Sequence, residues 1–205
     1  MRRGQVTCGR PEVHGTAMST AEQIVDIAQE LVQKGGFQAF SYRDISARLG
    51  IRTASIHYYF PTKALLAEAV VNRVLLDFKQ ALDDIDTAAA DPDDKLAKFC
   101  EIFLATFGEG DRLCPMCMLA TGQETIPAPV RQGVREFWQG AESWLQALIE
   151  TGQRQGRFRD DIVAAAASRA ILASVEGGMV AARAMEDRTR MIDTIGFLRN
   201  GLARP

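Results

Sequence analysis

Two helix-start patterns separated by a single glycine confine residues 41–60 to a pair of short helices. Ser41 stands three residues before Asp44, a spacing at which hydroxyl and carboxylate satisfy each other's unpaired amides at a helix N-terminus. Gly50 follows, able to take the left-handed conformation that ends a helix. Another helix starts near Thr53, and Pro61-Thr62 breaks it within about two turns, because proline brings no amide to the helical ladder. Ile45 and Leu49 share a face of the first helix, and Ile56 and Phe60 share a face of the second, so the pair can close over a small core. The remaining arc of the second helix holds Ala54, Ser55, His57 and Tyr58, which are small, hydroxylated or imidazole side chains suited to a polar surface.

The same kind of punctuation runs through the rest of the chain. There is no strand alternation of useful length, no internal repeat and no low-complexity linker, so the sequence reads as all-α. Ser19 with Glu22, and then Gly35-Gly36, bracket a first helix whose apolar stripe is Ile24, Ile27, Ala28 and Leu31. Thr62 can cap a long helix from about Lys63 to Leu82, with Leu66, Ala69, Val70, Arg73 and Val74 at helical spacing. Asp91-Pro92-Asp93-Asp94 places an N-cap, an N1 proline and first-turn acids before a helix on which Phe99, Phe103 and Phe107 repeat every fourth residue. A short segment around 114–122, a long helix near 128–152 and two helices near 161–185 and 187–202 complete the order. The expected division is a disordered leader over 1–18, a head over 19–66 and a second helical domain over 67–205.

Composition adds two constraints. With 47% hydrophobic and 24% charged residues among 205, the chain can bury a core. No apolar run reaches the roughly 18 residues needed to cross a bilayer, and residues 1–18 carry cations without a signal peptide's apolar centre, so the expected location is cytoplasmic. Four cysteines are too few for a disulfide scaffold, and reduced thiols suit that compartment. The net charge of -2 is unevenly spread, with Arg43, Arg48, Arg52 and Lys63 gathered near Asp44 between residues 41 and 63.

Two short helices with local positive charge meet the demands of a helix-turn-helix, which lays its second helix in the major groove of duplex DNA. Arg43 can reach a guanine edge, Thr53 can hydrogen-bond a base or pack its methyl on thymine, and Ala54 can touch a thymine methyl. Tyr42, Ser55, Tyr58, Tyr59 and Lys63 would then hold the phosphates, with Lys63 at the start of the fourth helix. Phe60 is expected in the core.

Residues 19–66 resemble the DNA-binding head of the TetR family of bacterial transcriptional regulators, through "QKGGFQAFSYRDISARLGI", the small polar residues after it, and "IHYYFPTKALL". The resemblance implies Arg43, Thr53, Ala54 and His57 as base-side positions and Tyr42, Ser55, Tyr58, Tyr59 and Lys63 as phosphate-side positions. His57 departs from the tyrosine common there. The family's pattern further implies a head joined by a long helix to a C-terminal helical domain for ligand binding and dimerisation, and a homodimeric repressor of palindromic operator DNA released by a small-molecule effector.

The C-terminal two thirds carries its own signals. "AAAASRAILASVEGGMVAARA" and "IGFLRNGL" combine small residues with Ile171, Leu172, Val175, Met179, Ile195, Phe197 and Leu198, a composition for close helix packing either across a dimer seam or within one chain. Phe78, Phe99, Cys100, Phe103, Phe107, Met118 and Trp138 can line a site for an apolar effector or fill an ordinary core. Cys114 and Cys117 in "CPMC" lack a second CxxC or paired histidines, which leaves no metal site, and lack the strand context of a catalytic redox pair. They remain candidates for a switch answering oxidants or electrophiles. A helical thiol enzyme is the remaining alternative, but no nucleophile–base pair, phosphate-cradling loop or carboxylate cluster accompanies the thiols. No catalytic residue and no cofactor is assigned.

Overall fold

The computed structural model describes residues 18–108, 112–122 and 124–204. The proposed leader therefore lies outside the described residues except for Met18. Among the described residues nine α-helices follow in order: α1 Thr20–Gly35, α2 Tyr42–Leu49, α3 Thr53–Tyr59, α4 Lys63–Ala88, α5 Pro92–Phe107, α6 Pro115–Ala120, α7 Ala128–Arg154, α8 Ala164–Ala184 and α9 Thr189–Leu202. A single 3-10 turn, Phe37–Ala39, joins α1 to α2. The described residues contain no strand, only one isolated antiparallel bridge between Phe158 and Ala203. The all-α reading is the observed fold class.

Both predicted capping boxes form. Ser19 and Glu22 open α1, and Ser41 and Asp44 open α2, each with side chain and backbone amide bonded reciprocally. Gly50 closes α2 at φ 66° and ψ 25°, the left-handed conformation a side chain would disfavour. Thr62 Oγ1 accepts from the Leu65 amide at 3.2 Å at the start of α4. Asp91 caps α5 through the Asp93 amide at 2.9 Å, with Pro92 in the first turn. One end differs from expectation: α4 continues past Leu82 to Ala88 because no breaker intervenes before Asp91-Pro92, and the added turn buries Ile85.

The helices fall into two compact units. The head unit contains residues 18–77 together with 112–122 and 124–137. Ile24, Ala28, Val32, Phe40, Ile45, Ile56, Leu66 and Val70 form its core. Arg73 of α4 holds α1 in place: its guanidinium meets the Asp26 carboxylate, the Gln29 side chain and, at 3.4 Å, the Val25 carbonyl. Sequence spacing had grouped Arg73 with the apolar stripe; a cation needs partners to sit there, and α1 supplies them. The α6 segment packs on the C-terminal end of α1, where the Leu113 amide donates to the Gln33 carbonyl at 3.1 Å.

The second unit contains residues 78–108 and 138–204. Phe99, Phe103 and Phe107 are buried on one face of α5. Phe78 meets Phe99 and Phe103 edge-on at 6.2 and 6.4 Å, and Trp144 stacks over Phe99 at 5.6 Å. The Trp144 indole also donates to Asp86 at 3.0 Å. Helices α8 and α9 approach closely where Gly178 faces Thr194. Arg199 of α9 pairs with Asp93 in the first turn of α5.

Candidate nucleic-acid interface

α3 is only seven residues long, and its burial pattern decides its role. Ile56 alone is fully buried, plugging the head core, while Thr53, Ala54, His57, Tyr58 and Tyr59 are exposed and Ser55 is half-buried. Tyr58 is 81% exposed, an extent that packing inside the protomer does not explain. Its ring meets Tyr59 edge-to-face at 5.2 Å, so the two phenols stand as one outward ridge.

The base-side candidates share this surface. Arg43 is exposed in the first turn of α2, and its carbonyl accepts from Ser46 Oγ at 2.9 Å. Thr53 Oγ1 donates to that same Ser46 Oγ at 3.3 Å, linking the start of α3 to α2 through hydroxyls. The turn between the helices is thereby fixed by short polar contacts, with little need for an apolar core of its own.

Three candidates have structural duties as well. The Tyr42 hydroxyl donates to the Phe60 carbonyl at 2.6 Å, tying α2 to the end of α3, and partial burial raises the pKa of the phenol. His57 packs edge-on against the Tyr42 ring at 4.6 Å, with Nδ1 3.4 Å from the Pro61 carbonyl. Lys63 lies over the Phe37 and Phe40 rings at 4.7 and 4.5 Å, a cation–π arrangement; its burial lowers the pKa of the ammonium. Tyr42, His57 and Lys63 thus brace the α2–α3–α4 junction beside the exposed ridge.

Arg52 was missed by sequence reasoning as an individual contact. It is exposed at the N-cap of α3 and makes no side-chain capping bond. A cation beside the positive end of a helix dipole costs that helix a few tenths of a kcal/mol or more, so its placement there suits an anionic partner better than it suits the helix. That unfavourable position was the signal available in the sequence.

The remaining candidates divide between the units. Phe78, Phe99, Cys100, Phe103 and Phe107 belong to the aromatic cluster of the second unit, and burial pushes the Cys100 thiol up to about 12. The Trp138 indole N–H, also in that unit, is buried with no hydrogen-bond partner among the described residues. Met118 is in the head unit, its carbonyl against Gly36. Cys114 is buried and Cys117 half-buried on α6. Among the proposed seam residues, Ile171, Val175, Met179 and Ile195 are buried within the protomer, Leu198 is half-buried, and Phe197 is 79% exposed. The apolar side chains on the outer surface of α8 and α9 are instead Val180, Ile192 and Phe197, with Met185 just beyond α8. Among the described residues no group of three or more metal-ligating side chains occurs, and no helix is long and apolar enough to cross a membrane.

Comparison with known proteins agrees with this geometry. Residues 24–70 match the family model of bacterial regulatory proteins, tetR family, and residues 92–195 match that of the tetracyclin repressor-like C-terminal domain. The HTH-type transcriptional repressor NicS of Pseudomonas putida is 26% identical over 70% of this chain and 68% of its own length. The HTH-type transcriptional regulator EthR of Mycolicibacterium smegmatis is 24% identical over 87% of this chain and 81% of its own. A crystal structure of a TetR-family transcriptional regulator from Agrobacterium tumefaciens superimposes with a TM-score of 0.86 at 28% identity, covering 90% of this chain and 97% of that one. A helix-turn-helix whose second helix turns its rings and hydroxyls outward, followed by a matching helical C-terminal region, makes this chain a member of the TetR family of transcriptional regulators.

Proposed function

We propose that the chain is a homodimeric repressor that reads a palindromic operator through α3 and is released by a small, largely apolar effector. The observation that carries this reading is the burial pattern of α3, in which Ile56 anchors the helix and every neighbouring side chain but half-buried Ser55 faces outward. Arg43, Thr53, Ala54 and His57 would meet base edges; Arg52, Ser55, Tyr58, Tyr59 and Lys63 would meet phosphates, with Tyr42 holding the junction. One head offers a short footprint, and a two-fold pair reading half-sites about one helical turn apart supplies the rest.

The outer face of α8 and α9 supports pairing. Val180, Ile192 and Phe197 are exposed there, and a Cβ at Gly177 or Gly196 would meet nothing within 4 Å. Apolar knobs beside bare glycines suit a second helix pair approaching closely, as in a four-helix bundle. The effector would enter the second unit, where Phe78, Phe99 and Phe103 offer aromatic faces and Trp138 holds a buried donor in want of an acceptor. Residues 19–66 would then be the DNA-binding domain and 67–205 the region for effector and dimer. Effector binding would favour a different setting of α4, moving the two α3 helices out of register with their half-sites.

Selection of bound duplexes from a random library tests the reading. Enrichment of an inverted repeat with half-sites about 10 base pairs apart is expected. Enrichment of no sequence over the starting pool overturns it.

A further inference from the structure

We infer that Cys114 and Cys117 close a reversible disulfide when a hydroperoxide oxidises them, and that closure shifts the two points where the α6 segment grips α1, loosening the head from DNA. This rests on the DNA-binding reading above and names a regulation of it.

The two thiols occupy the N-cap and third positions of α6, with Pro115 between them in the first turn. Those are the two positions that a capping box links through side chain-to-amide bonds, and side chains so placed in this chain also approach each other. The same chain shows this twice: Ser41 Oγ lies 2.6 Å from Asp44 Oδ2, and Ser19 Oγ lies 3.0 Å from Glu22 Oε2. A pair of cysteines so placed needs little backbone motion to come within bonding reach, since disulfides span Cα separations of roughly 4.4 to 6.8 Å.

The anchors flank the pair on both sides. Leu113, just before Cys114, donates its amide to the carbonyl of buried Gln33 in the last turn of α1. Met118, just after Cys117, sets its carbonyl 3.3 Å from where a Cβ on Gly36 would stand, at the C-cap of the same helix. Residues 114–117 thus lie between a hydrogen bond to α1 at Leu113 and close packing against the C-cap of α1 at Met118. From Gly36 the chain turns through Phe37–Ala39 into α2, and Phe37 and Phe40 carry Lys63 at the start of α4. A change in the span of residues 114–117 is therefore felt at the base of the helix-turn-helix.

Burial assigns the order of events. Cys117 is half-buried and the more accessible of the two, whereas Cys114 is 4% exposed. The Cys117 thiolate attacks one peroxide oxygen, forming a sulfenic acid and releasing hydroxide, which takes up a proton as water when the peroxide is hydrogen peroxide. The Cys114 sulfur then attacks the sulfenic sulfur, the S–O bond breaks, and a second water leaves with the Cys114 proton. Two thiols lose two electrons to one peroxide, and a thiol reductant restores them. Cys100, buried on α5 and held as a thiol by its raised pKa, does not compete.

The test compares reduced, peroxide-treated and re-reduced protein on the selected operator, with peptide mapping after alkylation. A Cys114–Cys117 linkage, an operator affinity lowered at least about tenfold and recovery with dithiothreitol are expected. Cys117→Ser should bind as the reduced parent does and ignore peroxide; its half-buried position makes it the variant safest for folding. Linkage without loss of affinity, absence of the linkage, or equal release of Cys117→Ser each overturns the inference. If reduced protein binds no DNA, the repressor reading fails on its own. Amide exchange at Gln33 to Gly36 then still decides the coupling, faster exchange on oxidation supporting it and unchanged exchange overturning it.

Discussion

Two aromatic residues of this chain are exposed to nearly the same extent, Tyr58 on α3 and Phe197 on α9, at 81% and 79%. They differ by a hydroxyl. Tyr58 stands in a region that gathers Arg43, Arg52, Thr53 and His57, where a phenol can donate to phosphate while its ring packs on sugar. Phe197 shares α9 with exposed Ile192 and follows Gly196, where a Cβ would meet nothing within 4 Å, and its ring edge carries no group for a charged partner. A third set of rings, Phe99, Phe103 and Phe107, faces inward and is fully enclosed. Exposure separates a partner surface from a core, and the atoms at the ring edge tell which partner.

Substitutions can break that comparison in order of size. Phe99→Ala removes a ring that touches Phe78, Phe103 and Trp144 and should lower unfolding free energy by about 3–5 kcal/mol, measured by urea denaturation. Tyr58→Ala should leave that stability within about 0.5 kcal/mol, so a large loss there would return Tyr58 to the core. Phe197→Asp buries a charge in any apolar seam and should weaken self-association by about 2 kcal/mol or more, read by sedimentation at graded concentrations. Unchanged association would remove the outer face of α9 from the dimer.

Within the head the expected effects are smaller and differ in kind. Arg43→Ala should cost about 1–3 kcal/mol on the selected operator and relax preference at one base pair. Arg52→Ala should weaken all duplexes alike and reduce the salt slope by about 1. Equal losses on specific and random DNA for Arg43→Ala would move it to the phosphate side.

The smallest effect is a pH dependence in the second unit. Burial by itself would raise the Asp86 carboxyl, but hydrogen bonds from Lys95 and Trp144 outweigh it and hold the group below its ordinary range. A carboxylate depressed in the folded state stabilises at pH values above its unfolded pKa, near 4, and loses that contribution as pH falls through the folded value. Trp144 fluorescence should therefore change in acid before global unfolding, and Asp86→Asn should abolish that step.

Much of the molecule was legible because its determinants are local. Ser19–Glu22, Ser41–Asp44 and Gly50 act over three or four residues, and each did in the structure what its spacing demanded. Contacts between distant residues left no such trace. Tyr42 reaches Phe60, Arg73 reaches Asp26, and Leu113 reaches Gln33; periodicity marks which face of a helix is apolar but not which distant group a polar side chain will meet. The same ambiguity explains α8, where Val175 and Met179 fill the protomer and Val180 faces outward. A stripe of small and apolar residues satisfies both surfaces, so sequence alone does not assign its sides.

Entry of the outward ridge of α3 into duplex grooves is open to a single titration. Reduced protein is titrated onto the selected operator and onto a scrambled duplex of equal length and composition, over a range of salt concentrations. A preference of about a thousandfold or more for the operator at physiological salt is expected, with log affinity falling linearly against log salt for both duplexes. Equal affinity for the two duplexes, or affinity indifferent to salt, would contradict it.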